Sequence, residues 1–122
     1  MAKLILRANI GSKERPSIRE TTLENEMLSQ KYIAYLFSID PEELDTIAKE
    51  RNINQDVQFK GDDRKKAIFY DIAQIPDLLL GLKQKCLAEN NRDKDWFTSV
   101  DMTRDTFQFI LPSGSVITFS TN

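Results

Sequence analysis

The sequence predicts an α+β fold, a two-layer domain with helices on one face of a mostly antiparallel sheet of about six strands. Short segments in which apolar and polar residues alternate indicate the strands, and longer segments with apolar residues three or four apart indicate the helices. Most strands follow one another through short turns, which favours antiparallel pairing. The predicted order is β-α-α-β-β-α-β-β-β, in a single domain over residues 1–122.

The first strand and the first helix are predicted in the N-terminal 37 residues. The segment KLILRANI, residues 3–10, alternates in the manner of a half-buried strand. A helix is predicted from about Thr21 to Phe37, and it has apolar residues on two opposite faces. One apolar face is suited to pack on the sheet, and the other must be buried against something else.

The central elements are a helix, a hairpin and a second helix. Asp40 is a suitable N-cap and Pro41 suits the first helical position, so a helix is predicted over residues 40–52. The segments DVQFK and KAIFYD, joined by a turn at Gly61, are typical of two strands. A further helix is predicted from Ile75 to the two asparagines at 90–91. Gly81 costs that helix about 1 kcal/mol relative to Ala, which indicates a close contact at this position.

The C-terminal segment, from Asp95 to Asn122, is predicted to be a three-strand meander. The three-residue loop Pro112-Ser113-Gly114 suits a type I turn followed by Gly114 in the left-handed conformation. That loop fixes the register of the last two strands. The pairs it predicts are Phe107 with Phe119, Phe109 with Ile117 and Ile110 with Val116.

Composition excludes several kinds of chemistry. The 122 residues contain no histidine and one cysteine, so neither a histidine-activated nucleophile nor a histidine- or thiolate-based metal site is available. The net charge is −2, with −1 in residues 1–60 (9 bases, 10 acids) and −1 in residues 61–122 (8 bases, 9 acids). No apolar run reaches the roughly 20 residues of a membrane span. We expect a cytoplasmic protein that is not an enzyme, needs no cofactor and does not enter a membrane.

A protein–protein interface is the function that the sequence favours. The face of the 21–37 helix that carries Leu28, Tyr32 and Tyr35 lies opposite the face expected to pack on the sheet. Tyrosine is favoured at interfaces because it combines a large apolar area with a polar tip. We therefore predict an adaptor, inhibitor or regulator that acts through a protein surface on a protein partner or on itself, and that self-associates as a homodimer or higher oligomer. The alternative for this face is an internal contact with the 40–52 helix.

The charged hairpin around residues 60–66 supports two further hypotheses. Lys60, Arg64, Lys65 and Lys66 could bind nucleic acid or a nucleotide, together with the basic arm at residues 1–19, although the adjacent acids partly cancel their field. Asp63 and Lys65 also have the D-x-K spacing of metal-dependent nucleases and phosphodiesterases, a three-residue pattern that is common by chance. The remaining alternative is a solvated turn whose charges discourage edge pairing.

Overall fold

The computed structural model describes residues 2–9, 11–12, 14–62 and 65–121, and within them the α+β class is confirmed. The strands are β1 (Lys3–Asn9), β2 (Ile18–Glu24), β3 (Met27–Ser29), β4 (Asp56–Lys60), β5 (Lys65–Asp71), β6 (Thr106–Ile110) and β7 (Val116–Ser120). The α-helices are α1 (Gln30–Phe37), α2 (Pro41–Glu50), α3 (Ile75–Ala88) and α4 (Asp95–Thr98). All strand pairs among them are antiparallel, as predicted, but the strands form two sheets instead of one.

The chain divides into two compact units, residues 1–25 with 83–122 and residues 26–82. The first unit holds a four-stranded sheet of order β2-β1-β7-β6, and the second holds a three-stranded sheet of order β3-β5-β4. The expectation of a single domain over the whole chain stays a prediction.

The first unit has an aromatic core on one face of its sheet. Phe107 and Phe109 alternate with exposed residues along β6, and Phe119 stands opposite Phe107 in β7, so all three share one face and are buried. Phe97 of α4 stacks on Phe109 with 5.2 Å between ring centroids. The predicted register of the last hairpin is confirmed in all three pairs, and Gly114 has φ +91° as its turn requires.

Two element predictions were wrong. Residues 18–24 form strand β2 instead of helix, and α1 begins only at Gln30. Seven consecutive register pairs with β1 hold β2 in place, and the side chain of Ser29 caps α1 by accepting from the Tyr32 N–H. The predicted strand at Asp95 is instead the short helix α4, because its Phe97 is buried against Phe109.

The second unit confirms three predicted elements, namely α2, the β4–β5 hairpin and the start of α3. The close contact predicted at Gly81 is also confirmed, since a Cβ there would lie 2.6 Å from Ile47 Cγ2. Ile47 is itself buried in α2. Gly81 therefore allows the backbone of α3 to approach α2 more closely than a larger residue would permit.

A network of side-chain hydrogen bonds connects the elements of this unit. Gln55 Nε2 lies 2.7 Å from Asp45 Oδ1 and 2.9 Å from the Tyr70 hydroxyl. That hydroxyl in turn donates to Gln30 Oε1 at 2.5 Å. Tyr70 and Gln30 are buried, so this bond replaces the water that both groups lose on folding.

Tyr70→Phe should lower the free energy of unfolding by about 1–2 kcal/mol. The substitution preserves the ring and removes the hydroxyl, which leaves the buried Gln30 Oε1 without its donor. Equilibrium urea unfolding followed by circular dichroism measures the loss. Gln30→Met in the Tyr70→Phe background removes the orphaned acceptor and should restore part of it. A Tyr70→Phe protein as stable as the native chain would show that this bond contributes nothing.

Candidate functional site

Tyr35 is the most exposed of the large apolar side chains that the structure describes. It lies on α1, and 79% of it is accessible to solvent. The opposite side of the helix is anchored, because Ile33, Ala34 and Phe37 are each 1% exposed. An aromatic ring is thus presented to solvent from a helix that is firmly packed behind it.

Tyr32 lies one turn before Tyr35 on the same side of α1. It is half-buried, and this burial raises the pKa of its hydroxyl, with a smaller contribution from Tyr35. The Tyr32 phenol therefore stays neutral at physiological pH and can act as a hydrogen-bond donor. We call Tyr32 and Tyr35 the tyrosine surface. The predicted alternative, that α2 covers this face, does not hold for Tyr35.

Leu28 does not belong to the tyrosine surface. Helical spacing in the sequence placed it on the same face, but it lies in β3, opposite Tyr70 in the register with β5. It is 6% exposed and part of the core. The error follows from the wrong helix start, because helical spacing relates residues only within a helix.

The basic residues of the hairpin are divided between the two faces of the sheet. Lys65 and Lys66 are both exposed and adjacent in β5, so they lie on opposite faces of the strand. Lys60 ends β4 and stands opposite Lys65 in the register, so these two positions share a face. Arg64 and Asp63 lie outside the described residues. The nucleic-acid and metal-nuclease hypotheses for this hairpin stay predictions.

Two basic residues of the N-terminal arm face acids on the neighbouring strand. Lys3 stands opposite Glu24 and Arg7 stands opposite Glu20 in the pairing of β1 with β2. Opposite charges at facing positions reduce the local positive field. The basic arm as a phosphate-binding surface stays a prediction.

A second exposed apolar surface, which the sequence did not predict, lies on the edge strand β4. Val57 is 40% exposed and Phe59 is 68% exposed. They share a face with Ile68, which stands opposite Val57 in β5. The same face carries the buried Leu28 and Tyr70 further along the sheet, so the apolar face continues beyond its buried part. The alternation of apolar and polar residues in DVQFK was visible in the sequence, but the edge position was not.

The described part of the chain contains no group of three or more carboxylate or thiol side chains placed to hold a metal ion. Cys86 is a buried, free thiol. None of the described helices has the length and apolar character needed to cross a bilayer. No protein-family model, curated protein or solved structure matches this chain.

Proposed function

We propose that this chain is a small, non-enzymatic binding protein of the cytoplasm, an adaptor or inhibitor that engages a protein partner through the tyrosine surface. The observation that carries the proposal is the 79% exposure of Tyr35 on a helix anchored by buried residues. A helix held in place before binding loses little backbone freedom when a partner covers its exposed side chains. Tyrosine is among the residues that contribute most to binding energy at interfaces.

The two tyrosines have different roles in this interface. Tyr35 supplies the area that a partner would bury, since its ring extends into solvent. Tyr32 is half-buried one helical turn away, so it would contribute a smaller area to the interface. A partner would present an apolar pocket for the ring of Tyr35 and an acceptor for its hydroxyl.

Tyr35→Ser should weaken partner binding about 30-fold or more, which corresponds to the roughly 2 kcal/mol of an interface hot spot. Fold stability should change by less than about 0.5 kcal/mol, because the side chain is exposed. The native chain is used to capture partners from a lysate of the source cells, and the affinity of the recovered partner is then measured by calorimetry.

Phe59→Ser is the matched control, since it removes a similarly exposed aromatic ring from a different surface. A partner that binds Tyr35→Ser as tightly as the native chain, or that is lost equally with Phe59→Ser, contradicts the role of the tyrosine surface. Circular dichroism of both variants establishes that the fold is retained.

A further inference from the structure

Strand β4 forms an edge of the three-stranded sheet, and β5 is its only strand neighbour within the described part of the chain. Successive residues of a strand direct their backbone N–H and C=O groups alternately to either side. One set of these groups in β4 pairs with β5, and the other set faces outward as a template for another strand. β4 pairs with β5 at five consecutive positions, so no bulge interrupts this edge.

The residues of β4 are chemically self-complementary. Their order, D-V-Q-F-K, is acid, apolar, amide, apolar, base. When two such strands run antiparallel and cross at Gln58, Asp56 of each copy stands opposite Lys60 of the other. Val57 of each copy then stands opposite Phe59 of the other, on one face of the joined sheet.

We propose that β4 pairs with β4 of a second copy of this chain, antiparallel and centred on Gln58, to form a continuous six-stranded sheet in a symmetric dimer. Charge complementarity selects this occupant over an unrelated strand, because a second copy supplies both oppositely charged partners. The same contact packs Val57 of each copy against Phe59 of the other and buries part of their apolar surface, which is 40% and 68% exposed in the single chain.

The charges of β4 also specify the register in which the two copies of this strand pair. A dimer centred on Phe59 would place Asp56 opposite Asp62 of the second copy, and like charges that face each other are destabilising. A dimer centred on Val57 would place Asn54 opposite Lys60 and would lose both charge pairs. Only the Gln58-centred register among these three satisfies both charges and pairs apolar residues with one another.

This self-association is independent of the tyrosine surface. Tyr35 is on α1 and takes no part in the contact between two β4 strands. Tyr35→Ser should therefore leave the dimer unchanged, and charge reversal at Asp56 or Lys60 should leave partner binding through Tyr35 unchanged. Failure of one proposal is thus distinguishable from failure of the other.

Charge reversal provides the first test. Asp56→Lys and Lys60→Asp each place like charges opposite one another twice in the dimer, so each should raise the dimer dissociation constant about tenfold or more. An equimolar mixture of the two variants should recover dimers, because every facing pair is again of opposite sign. Sedimentation equilibrium of the full chain measures the mass against the 14.1 kDa of one copy.

Two results overturn the proposal in this experiment. One is a native chain that remains a 14.1 kDa monomer up to millimolar concentration. The other is a mixture of the two variants that is no heavier than either variant alone, since this would mean that Asp56 and Lys60 do not face each other.

Cross-linking tests the register directly. Facing residues of antiparallel strands have Cα atoms about 4.5–5.5 Å apart, within the range of a disulfide. Gln58→Cys in a Cys86→Ala background should therefore form a covalent dimer under mild oxidation. Asp56→Cys in the same background is the control, because the two copies of position 56 would be about 14 Å apart along the strands. Equal cross-linking of both variants, or none with Gln58→Cys, contradicts the register.

Discussion

Phe109→Ala is expected to lower the free energy of unfolding by about 3–5 kcal/mol. Phe109 is fully buried in β6. Its ring stacks on Phe97 at 5.2 Å between centroids and meets Phe107 edge-on at 5.7 Å. Truncation removes both aromatic contacts and leaves a cavity between the sheet and α4 that backbone elements on both sides prevent from closing.

Equilibrium denaturation followed by circular dichroism measures this loss. Ile110→Ala is the matched control, because Ile110 is the next residue in β6 and 64% exposed on the other face, and it should change stability by less than about 1 kcal/mol. Phe109→Leu, which preserves most of the buried volume, should be intermediate. Equal losses for Phe109→Ala and Ile110→Ala would contradict the assignment of the core face.

Gly81→Val should destabilise the protein by about 2–3 kcal/mol, although valine is slightly the better helix former. A Cβ at position 81 would lie 2.6 Å from Ile47 Cγ2 and 2.7 Å from Arg51 Cδ. Ile47 is 3% exposed, so its Cγ2 cannot move out into solvent to make room. The gain in helix propensity is a few tenths of a kcal/mol, so the steric overlap determines the sign.

A double-mutant cycle isolates the cause of that loss. Ile47→Ala removes the atom that a side chain at position 81 would strike, so Gly81→Val should cost less in the Ile47→Ala background than in the native chain. Chemical denaturation of the four proteins gives the coupling energy. The double mutant should lose about 1 kcal/mol or more less stability than the sum of the two single losses. Additive losses would mean that the overlap with Ile47 is not responsible.

Gly81 also makes room for a charged contact. Asp77 and Gly81 lie four residues apart on one face of α3. Arg51 crosses over Gly81, and its Nε donates to Asp77 Oδ1 at 2.9 Å. A larger side chain at position 81 would therefore disturb the close approach of the helices and this ion pair together.

Caps and turn residues in the sequence correctly predicted the elements that are specified by residues close together in the chain. The helix after Asp40 begins where its cap predicted, with the Asp40 carboxylate accepting from the Glu42 N–H at 3.0 Å. The final hairpin follows from its three-residue loop and the positive φ of Gly114. In both cases the residues that specify the structure lie within a few positions of one another.

Strand β2 could not be recognised in this way. Six of its seven side chains are exposed and only Leu23 is half-buried, so the segment has no alternating pattern. Its conformation depends on pairing with β1, a contact whose sequence separation reaches 21 residues between Lys3 and Glu24. The strand predicted at α4 was wrong for a similar reason, because the conformation there depends on the packing of Phe97 against Phe109, twelve residues later.

The candidate surfaces were predictable in part. Tyr32 and Tyr35 were identified from their helical spacing and do lie on one helix, whereas Leu28 was assigned to that face through an incorrect helix start. The edge position of β4 depends on strand order, which arises from contacts between distant segments. Residue pattern alone therefore indicated a strand at 56–60 and gave no indication that its outer side is open.

The division of the chain into two units also separates its chromophores. The single tryptophan, Trp96, belongs to the unit of residues 1–25 and 83–122, while Tyr32, Tyr35 and Tyr70 all belong to residues 26–82. Tryptophan fluorescence, excited at a wavelength that tyrosine does not absorb, reports the unfolding of the first unit. The change in tyrosine absorbance at high pH or in denaturant reports the unfolding of the second unit. The unlabelled chain thus reports on each unit separately. Coincident transitions identify one cooperative domain, and separate transitions identify two independently folding halves.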